Sequence, residues 1–237
     1  MPTGRDRGFT LLEVALVLVV LSILLSGLLT PLGSAREAHR RAVQRVQWQQ
    51  LETALVGHLL ARGRLPCAAT ADSAGHEVMS STGCQAYAGF VPVASLGVSG
   101  SVDRQGRLLD AWYRPLRYRL SASDNDGDGR ADYAVTDGVV LQAPISIRAD
   151  NRIVHAVDAA CGSTATRADG VVVVLVSEGQ GAVRSAAERE NLDDDNRFVS
   201  RGVSDVPACA FDDAVHWVTE NRILTLLLRA GVLPRSD

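Results

Sequence analysis

The sequence contains no lysine: all 24 basic residues are arginines, set against 27 acidic residues for a net charge of −3. So even a balance excludes a protein that holds nucleic acid through a bulk positive field. Arg222, Arg229 and Arg235 lie in the tail but form no dense stripe, so DNA is not an expected partner. Aromatics make up only 5% of the chain, which leaves the core to valine, leucine and alanine. No GxSxG elbow, P-loop or HExxH helix is present. His155 and His216 stand alone in apolar-periodic stretches, where structural roles are expected, and His39 and His58 read as surface or edge residues. An enzyme is therefore not expected. At 237 residues the chain suits one globular domain plus accessory segments.

The four cysteines, Cys67, Cys84, Cys161 and Cys209, include no CxxC pair and have no histidine at zinc-ligand spacing. An even count behind an export-like N-terminus suggests two disulfides formed in an oxidising compartment. Four cysteines allow three connectivities. The sequence-local one, Cys67–Cys84 with Cys161–Cys209, is preferred, and four buried thiols are the alternative.

What the sequence does have is a long apolar run. From Phe9 to Leu32 the only charge is Glu13. As a helix this run is about 36 Å long, enough for a bilayer. A cleaved secretory signal would use Arg5 and Arg7 as its basic region and Gly33-Ser34-Ala35 for cleavage, but the apolar run is long for such a signal. A plain anchor fits the length and the flanking arginines. Neither explains Glu13, because a lone acid in a membrane helix costs several kcal/mol.

The residues Gly8-Phe9-Thr10-Leu11-Leu12-Glu13 closely resemble the prepilin signature of type IV pilins and type II secretion pseudopilins. The resemblance implies cleavage by a prepilin peptidase between Gly8 and Phe9, then N-methylation of Phe9. Glu13, fifth after the cut, matches the family glutamate that pairs with the terminal amine of a neighbouring subunit. An ammonium and a carboxylate buried together compensate each other, whereas either alone is penalised. The acid thus reads as an assembly contact that sets the stagger between subunits.

Pro31 and Gly33 mark an expected kink. Beyond it, Ser34 to about Arg62 reads as a continuing amphipathic helix whose apolar face carries Ala35, Ala38, Ala42, Val46, Leu51, Leu55 and Leu59, ended by Gly63 and Pro66. Residues 67–105 read as a loop-dominated connection. Leu108–Leu120, Val139–Ile147 and Val171–Ser177 read as strands, the last central, and antiparallel pairing is expected from the short connections. Asp213–Arg229 reads as a helix. The segments Leu65-Pro66-Cys67, Phe90-Val91-Pro92 and Asp110–Tyr118 are similar to the globular part of minor pilins and pseudopilins, with Tyr113 where that family usually has glycine. The tail from Phe211 to Pro234 is similar to their C-terminal segment.

The clearest site motif is Asp124-Asn125-Asp126-Gly127-Asp128-Gly129-Arg130-Ala131-Asp132. Oxygens at positions one, three and five, glycine at six and an acid at nine follow a calcium-loop pattern, although position twelve is Val135. The expected ligands are the side chains of Asp124, Asp126, Asp128 and Asp132 and the carbonyl of Arg130, with calcium in a structural role. The bland alternative is a solvated acidic turn. A second acidic stretch, Glu190 to Asp195, precedes Cys209 and Asp212-Asp213. Its likeness to the C-terminal calcium loop of major pseudopilins is loose.

The expected fold is α+β and type IV pilin-like: a long N-terminal helix on a small antiparallel sheet, with loop insertions and a C-terminal helix. The expected organisation is a leader over 1–8, a transmembrane and filament-core helix over 9–33, an amphipathic half over 34–62 and a globular domain over 63–237. The expected function is a minor pilin, the minor role resting on the chain's size. The alternatives are a minor pseudopilin of the type II secretion system and a membrane-anchored calcium-binding adhesin. Expected partners are other pilin or pseudopilin subunits, the prepilin peptidase, the inner membrane, and a host surface or secreted substrate. The globular domain would be periplasmic, then carried on a pilus or pseudopilus, or at the cell surface.

Overall fold

A computed structural model describes residues 10–136, 148–181 and 185–231; the side chains of 24–32 and of Ser34 are outside that description. The expected strand at Val139–Ile147 therefore lies outside the described residues. The chain divides into two units, Met1–Val43 and Gln44–Asp237.

In the first unit the backbone is helical from Leu11, and the helix assignment is unbroken through Pro31. This helix, α1 (Leu11–Arg62), continues into the second unit. Between Leu11 and Ile23 every side chain is exposed, Leu11 by 91%.

In the second unit α1 buries Trp48, Leu51, Leu55 and Leu59, a 3–4–4 spacing that puts all four on one face. The expected face ran through Val46, but Val46 is exposed, and Gln44 and Trp48 are buried instead. The reason is polar docking: the Gln44 side-chain Oε1 accepts the Ala111 N–H at 3.0 Å, and the Gln47 side-chain Nε2 donates to the Leu109 backbone carbonyl at 2.9 Å. The helix ends where Gly63, at φ 71°, adopts the left-handed conformation open to glycine and donates to the Leu59 carbonyl.

After α1 come β1 (Met79–Ser80), β2 (Gly83–Cys84), β3 (Ala88–Phe90), α2 (Val93–Leu96) and β4 (Arg117–Leu120). Then follow β5 (Asn151–Val154), β6 (Thr166–Ser177), α3 (Ala186–Glu190), β7 (Arg197–Val199), β8 (Ala214–Thr219) and α4 (Glu220–Arg229). The main sheet runs β3-β4-β6-β5-β7, with β8 also on β6. Val171 pairs with both Asn151 of β5 and Thr219 of β8, and Val173 with both Leu120 of β4 and Val218 of β8. So β4 and β5 lie end to end along one edge of β6, and β8 takes the other.

The apolar run of β6 explains its central place. Val173 and Leu175 face the cluster that contains Leu51, Leu55 and Tyr118, while Val174 and Val176 face Ile153 and Phe198. A strand covered on both faces needs no polar alternation. Every pairing in the main sheet is antiparallel except β5 with β7, which is parallel. That departs from the antiparallel expectation: the chain between β6 and β7 includes α3, long enough to return β7 in the direction of β5.

Three further differences have local causes. Of Leu108–Leu120 only the last four residues form a strand, because Asp110 closes a turn whose carboxylate accepts the N–H groups of Trp112 and Arg114, both at 2.8 Å. Tyr113 in that turn sits at φ 65°, keeping the conformation that glycine usually supplies. The expected helix at Asp213–Arg229 is a strand to Thr219 and a helix only from Glu220. The β-branched and aromatic residues of Val-His-Trp-Val-Thr fit the β6 edge, and Thr219 then caps α4 by accepting the Arg222 N–H.

Two disulfides are present in the sequence-local pairing, Cys67–Cys84 and Cys161–Cys209.

Candidate functional sites at the N-terminus and the acidic loop

Gly8 and Phe9 lie outside the described residues. Thr10 begins the helix, accepting the Glu13 N–H on its Oγ1 at 3.3 Å. Thr10-x-x-Glu13 therefore has the spacing of a capping box, and a carboxylate in the first turn also suits the helix dipole. These local roles use the Glu13 backbone and position but leave the carboxylate exposed, and among the described residues it makes no ion pair. Its neighbours on the rod are exposed Leu and Val. Among the described residues no helix is long and apolar enough to cross a membrane. The expected span over 9–33 includes Phe9 and the side chains of 24–32, which lie outside that description.

The acidic loop leaves the sheet after β4. Carboxylate oxygens of Asp124, Asp126 and Asp128 lie within 4.8 Å of one another, all three residues exposed. Asp124 accepts from the amides of Gly127 and Gly129, at 2.7 and 2.9 Å, which curls the chain around it. Gly127 and Gly129 take φ values of 77° and 81°, which a side chain would resist. The Asp128 N–H pulls the Asp126 carboxyl down, but desolvation and the charges of Asp128 and Asp132 outweigh it and hold Asp126 above its usual range. Asp132 is brought to the loop but is buried: its Oδ2 accepts Asn125 N–H at 2.9 Å and Asn125 Nδ2 at 2.6 Å. The Arg130 N–H donates to Asp128 at 2.8 Å. The three grouped carboxylates are hard oxygen donors, the kind that suits a hard cation over a soft one, and Asp132 lies outside their group.

The second acidic stretch is differently used. Glu190 pairs with Arg197 at 3.2 Å, and the Asp195 carboxylate accepts the Arg197 N–H at 2.8 Å. The acidic trio within ligand reach in this region is instead Glu188, Asp212 and Asp213. Glu188 went unnoticed in the sequence, although Ser185-x-x-Glu188 spells a capping box, and both of its bonds form. Its carboxylate also accepts the Asp212 N–H at 3.2 Å, and Asn191 donates to Asp213 at 2.8 Å. These contacts tie α3 to the approach to β8.

His39 is exposed, as expected. His58 is not: it is buried against Glu77, 3.9 Å away, whose carboxylate also receives Arg64 at 2.7 and 2.8 Å and the Cys67 N–H at 3.0 Å. Sequence spacing missed this knot because Arg64 and Glu77 meet only through the fold. Arg222 pairs with Glu52 of α1, so the tail arginines form no free cationic patch among the described residues.

Residues 3–29 match the family model for the prokaryotic N-terminal methylation motif. No curated protein and no solved structure matches the chain. The match spans Gly8, Phe9 and Glu13, the stretch whose residues resemble the processing signature of type IV pilins and pseudopilins.

Proposed function

We propose that the chain is a structural subunit of a type IV pilus or related pseudopilus, a minor pilin by its size. It enters the filament from the inner membrane after prepilin peptidase cuts between Gly8 and Phe9. The observation that carries this reading is the methylation motif leading into the exposed apolar stretch Leu11–Ile23 of α1, whose one acid, Glu13, has no ion-pair partner among the described residues. Water is a poor environment for that rod, and hydrocarbon a poor one for its acid. A bundle of like subunits, each giving a terminal ammonium to a neighbour's Glu13, suits both. The globular unit, with a helix packed on a mixed sheet and two disulfides, is suited to an oxidising periplasm. The motif's family is structural, and the subunit acts by assembly, without a reaction of its own.

The test is the intact mass and N-terminal sequence of the protein recovered from membranes, beside Gly8→Ala. A chain starting at methylated Phe9, and lost in the variant, is the expected result. A chain starting at Met1 would instead favour an uncut, membrane-anchored calcium-binding adhesin. Glu13→Ala should leave processing intact and remove the protein from sheared filaments. Gene deletion separates the two machines: lost piliation or motility marks a pilus, and lost protein export marks a type II secretion pseudopilus.

A further inference from the structure

The sheet face opposite α1 holds a cation that no carboxylate neutralises among the described residues. Along β4, Tyr118 and Leu120 enter the cluster that contains Leu51 and Leu55, so Arg117 and Arg119 project from the other face. Register sets Arg119 between Ala88 of β3 and Val174 of β6, and Arg117 between Phe90 and Val176. A cleft of about 50 Å³ opens on this face, with Val174, Val176 and Phe198 in its apolar lining and Asp193 and Asp194 beside the arginines. We propose that this cleft binds a carboxylate group on a short apolar stem, with the Arg119 guanidinium as its counter-charge.

Arg117 is already served: its Nε meets Glu178 at 3.1 Å, and its guanidinium lies over the Phe90 ring at 4.7 Å. Glu178 also takes Arg114, at 3.5 Å. Arg119 is held differently. Its Nε donates to the Asn151 Oδ1 at 3.2 Å and its Nη1 to the Asp194 carbonyl at 2.6 Å. Asn151 cannot turn away, because it is fully buried and its Nδ2 donates to the Val171 carbonyl at 3.0 Å. Both acceptors are neutral. They fix the guanidinium and leave further N–H donors over. Among the described residues no carboxylate lies within ion-pair distance of Arg119.

The ligand class follows from the chemistry of the cleft. An arginine fork held in place by neutral acceptors matches a carboxylate in shape and charge. The apolar lining suits a carbon or two behind that group and strengthens an ion pair made beside it. The volume admits only a few heavy atoms, so the rest of any larger molecule projects from the mouth. Asp193 and Asp194 are exposed there and disfavour a dianion such as phosphate. All of these residues lie in the unit Gln44–Asp237, and the inference does not depend on the filament reading.

The experiment titrates the full, isotope-labelled chain in non-ionic detergent micelles with sodium propanoate, ionic strength being held constant with sodium chloride. The Arg119 Nε–H and the Val174 and Asp194 amides are followed by NMR. The expected result is saturable shifts at these groups with a Kd of about 1–10 mM, and binding of propanamide and of phosphate about tenfold weaker or less. Arg119→Gln should abolish the response. Ala88→Leu fills the cleft from the neighbouring strand while leaving Arg119 in place, and should weaken propanoate by a similar factor. It keeps the test decisive if Arg119→Gln disturbs the loop that carries Asp194. A blocked tripeptide with a central glutamate separates two sources of the same group. Tighter binding than propanoate assigns the cleft to an acidic side chain of a partner protein, and weaker binding assigns it to a free small acid. Three results would overturn the proposal: no saturable shift with propanoate, an equal response to propanamide, or a response unchanged in both variants.

Discussion

His216 of β8 lies flat against Trp48 of α1, ring centroids 5.7 Å apart and planes 9° from parallel. Its Nε2 is 3.5 Å from the Glu52 carboxylate, which Arg222 of α4 also engages. α1, β8 and α4 therefore meet around one imidazole.

That contact sets a pH dependence. Burial holds His216 below its ordinary value against the opposing pull of Glu52, and burial does the same to His58 against Glu77. Unfolded, both titrate near 6.5. Below that pH the unfolded chain binds more protons than the folded one, so stability is full above about pH 6.5 and falls as pH drops below it toward the depressed folded values. The unfolding midpoint measured from pH 7.5 to 5 should decline from about 6.5 downward. His58→Gln with His216→Gln should flatten the decline. A midpoint constant down to pH 5 would refute this.

The two disulfides should differ in accessibility and in stabilisation. Cys67 is fully buried and Cys84 nearly so, whereas Cys161 and Cys209 are half-buried. Mild reductant followed by alkylation and mass analysis should label Cys161 and Cys209 first. With sequence separations of 17 and 48 residues, the chain-entropy account gives about 3 kcal/mol for the first bridge and about 4 kcal/mol for the second. Removing both cysteines of either pair should lower stability by up to those amounts in denaturant titrations.

Tyr113 holds a left-handed backbone while the residue is 75% exposed. A bulky residue there costs about 1–2 kcal/mol, and glycine avoids that cost at the expense of a more flexible unfolded chain. Tyr113→Gly should therefore stabilise the protein by up to about 1 kcal/mol in urea unfolding. A loss of stability would mean that the ring makes a contact worth more than the strain.

Asp110 is the opposite case. Its carboxylate is buried, takes the amides of Trp112 and Arg114, and accepts the Ser177 hydroxyl at 2.5 Å. Burial raises its proton affinity in spite of those donors. Asp110→Ala orphans all three and should cost about 3 kcal/mol or more by the same measurement. Asp110→Asn, which keeps one acceptor, should cost less.

The sequence made some of this readable and hid the rest for identifiable reasons. Leu51, Leu55 and Leu59 announce their face by spacing alone, and the all-apolar run from Val171 to Val176 announces a strand covered on both sides. The processing motif is contiguous and needs no fold to be recognised. Val46 misled, because glutamine docking at residues 44 and 47 rotates the buried face, and a side-chain amide reads as a surface residue when its hydrogen-bond partners are not known. The tail misled because Val215, Val218 and Ile223 satisfy a helical spacing while the edge of β6 offers a ladder to the first part of it. The Arg64–Glu77–His58 knot and the Glu188–Asp212–Asp213 trio join residues far apart in the chain, and no local pattern reports that.

The position of β8 has a consequence in time. Among the described strands it is the last in chain order, yet it supplies the edge of β6 from Val171 to Ser177 and the histidine that rests on Trp48. Contacts between early and late segments close only when the late segment arrives. A nascent chain lacking residues 214–219 would present the long apolar β6 with a bare edge, open to any other strand it meets. Until residues 214–219 arrive, that edge of β6 and the imidazole site on Trp48 stay incomplete, so the stability of the globular unit hinges on a segment far along the chain from the helix it secures.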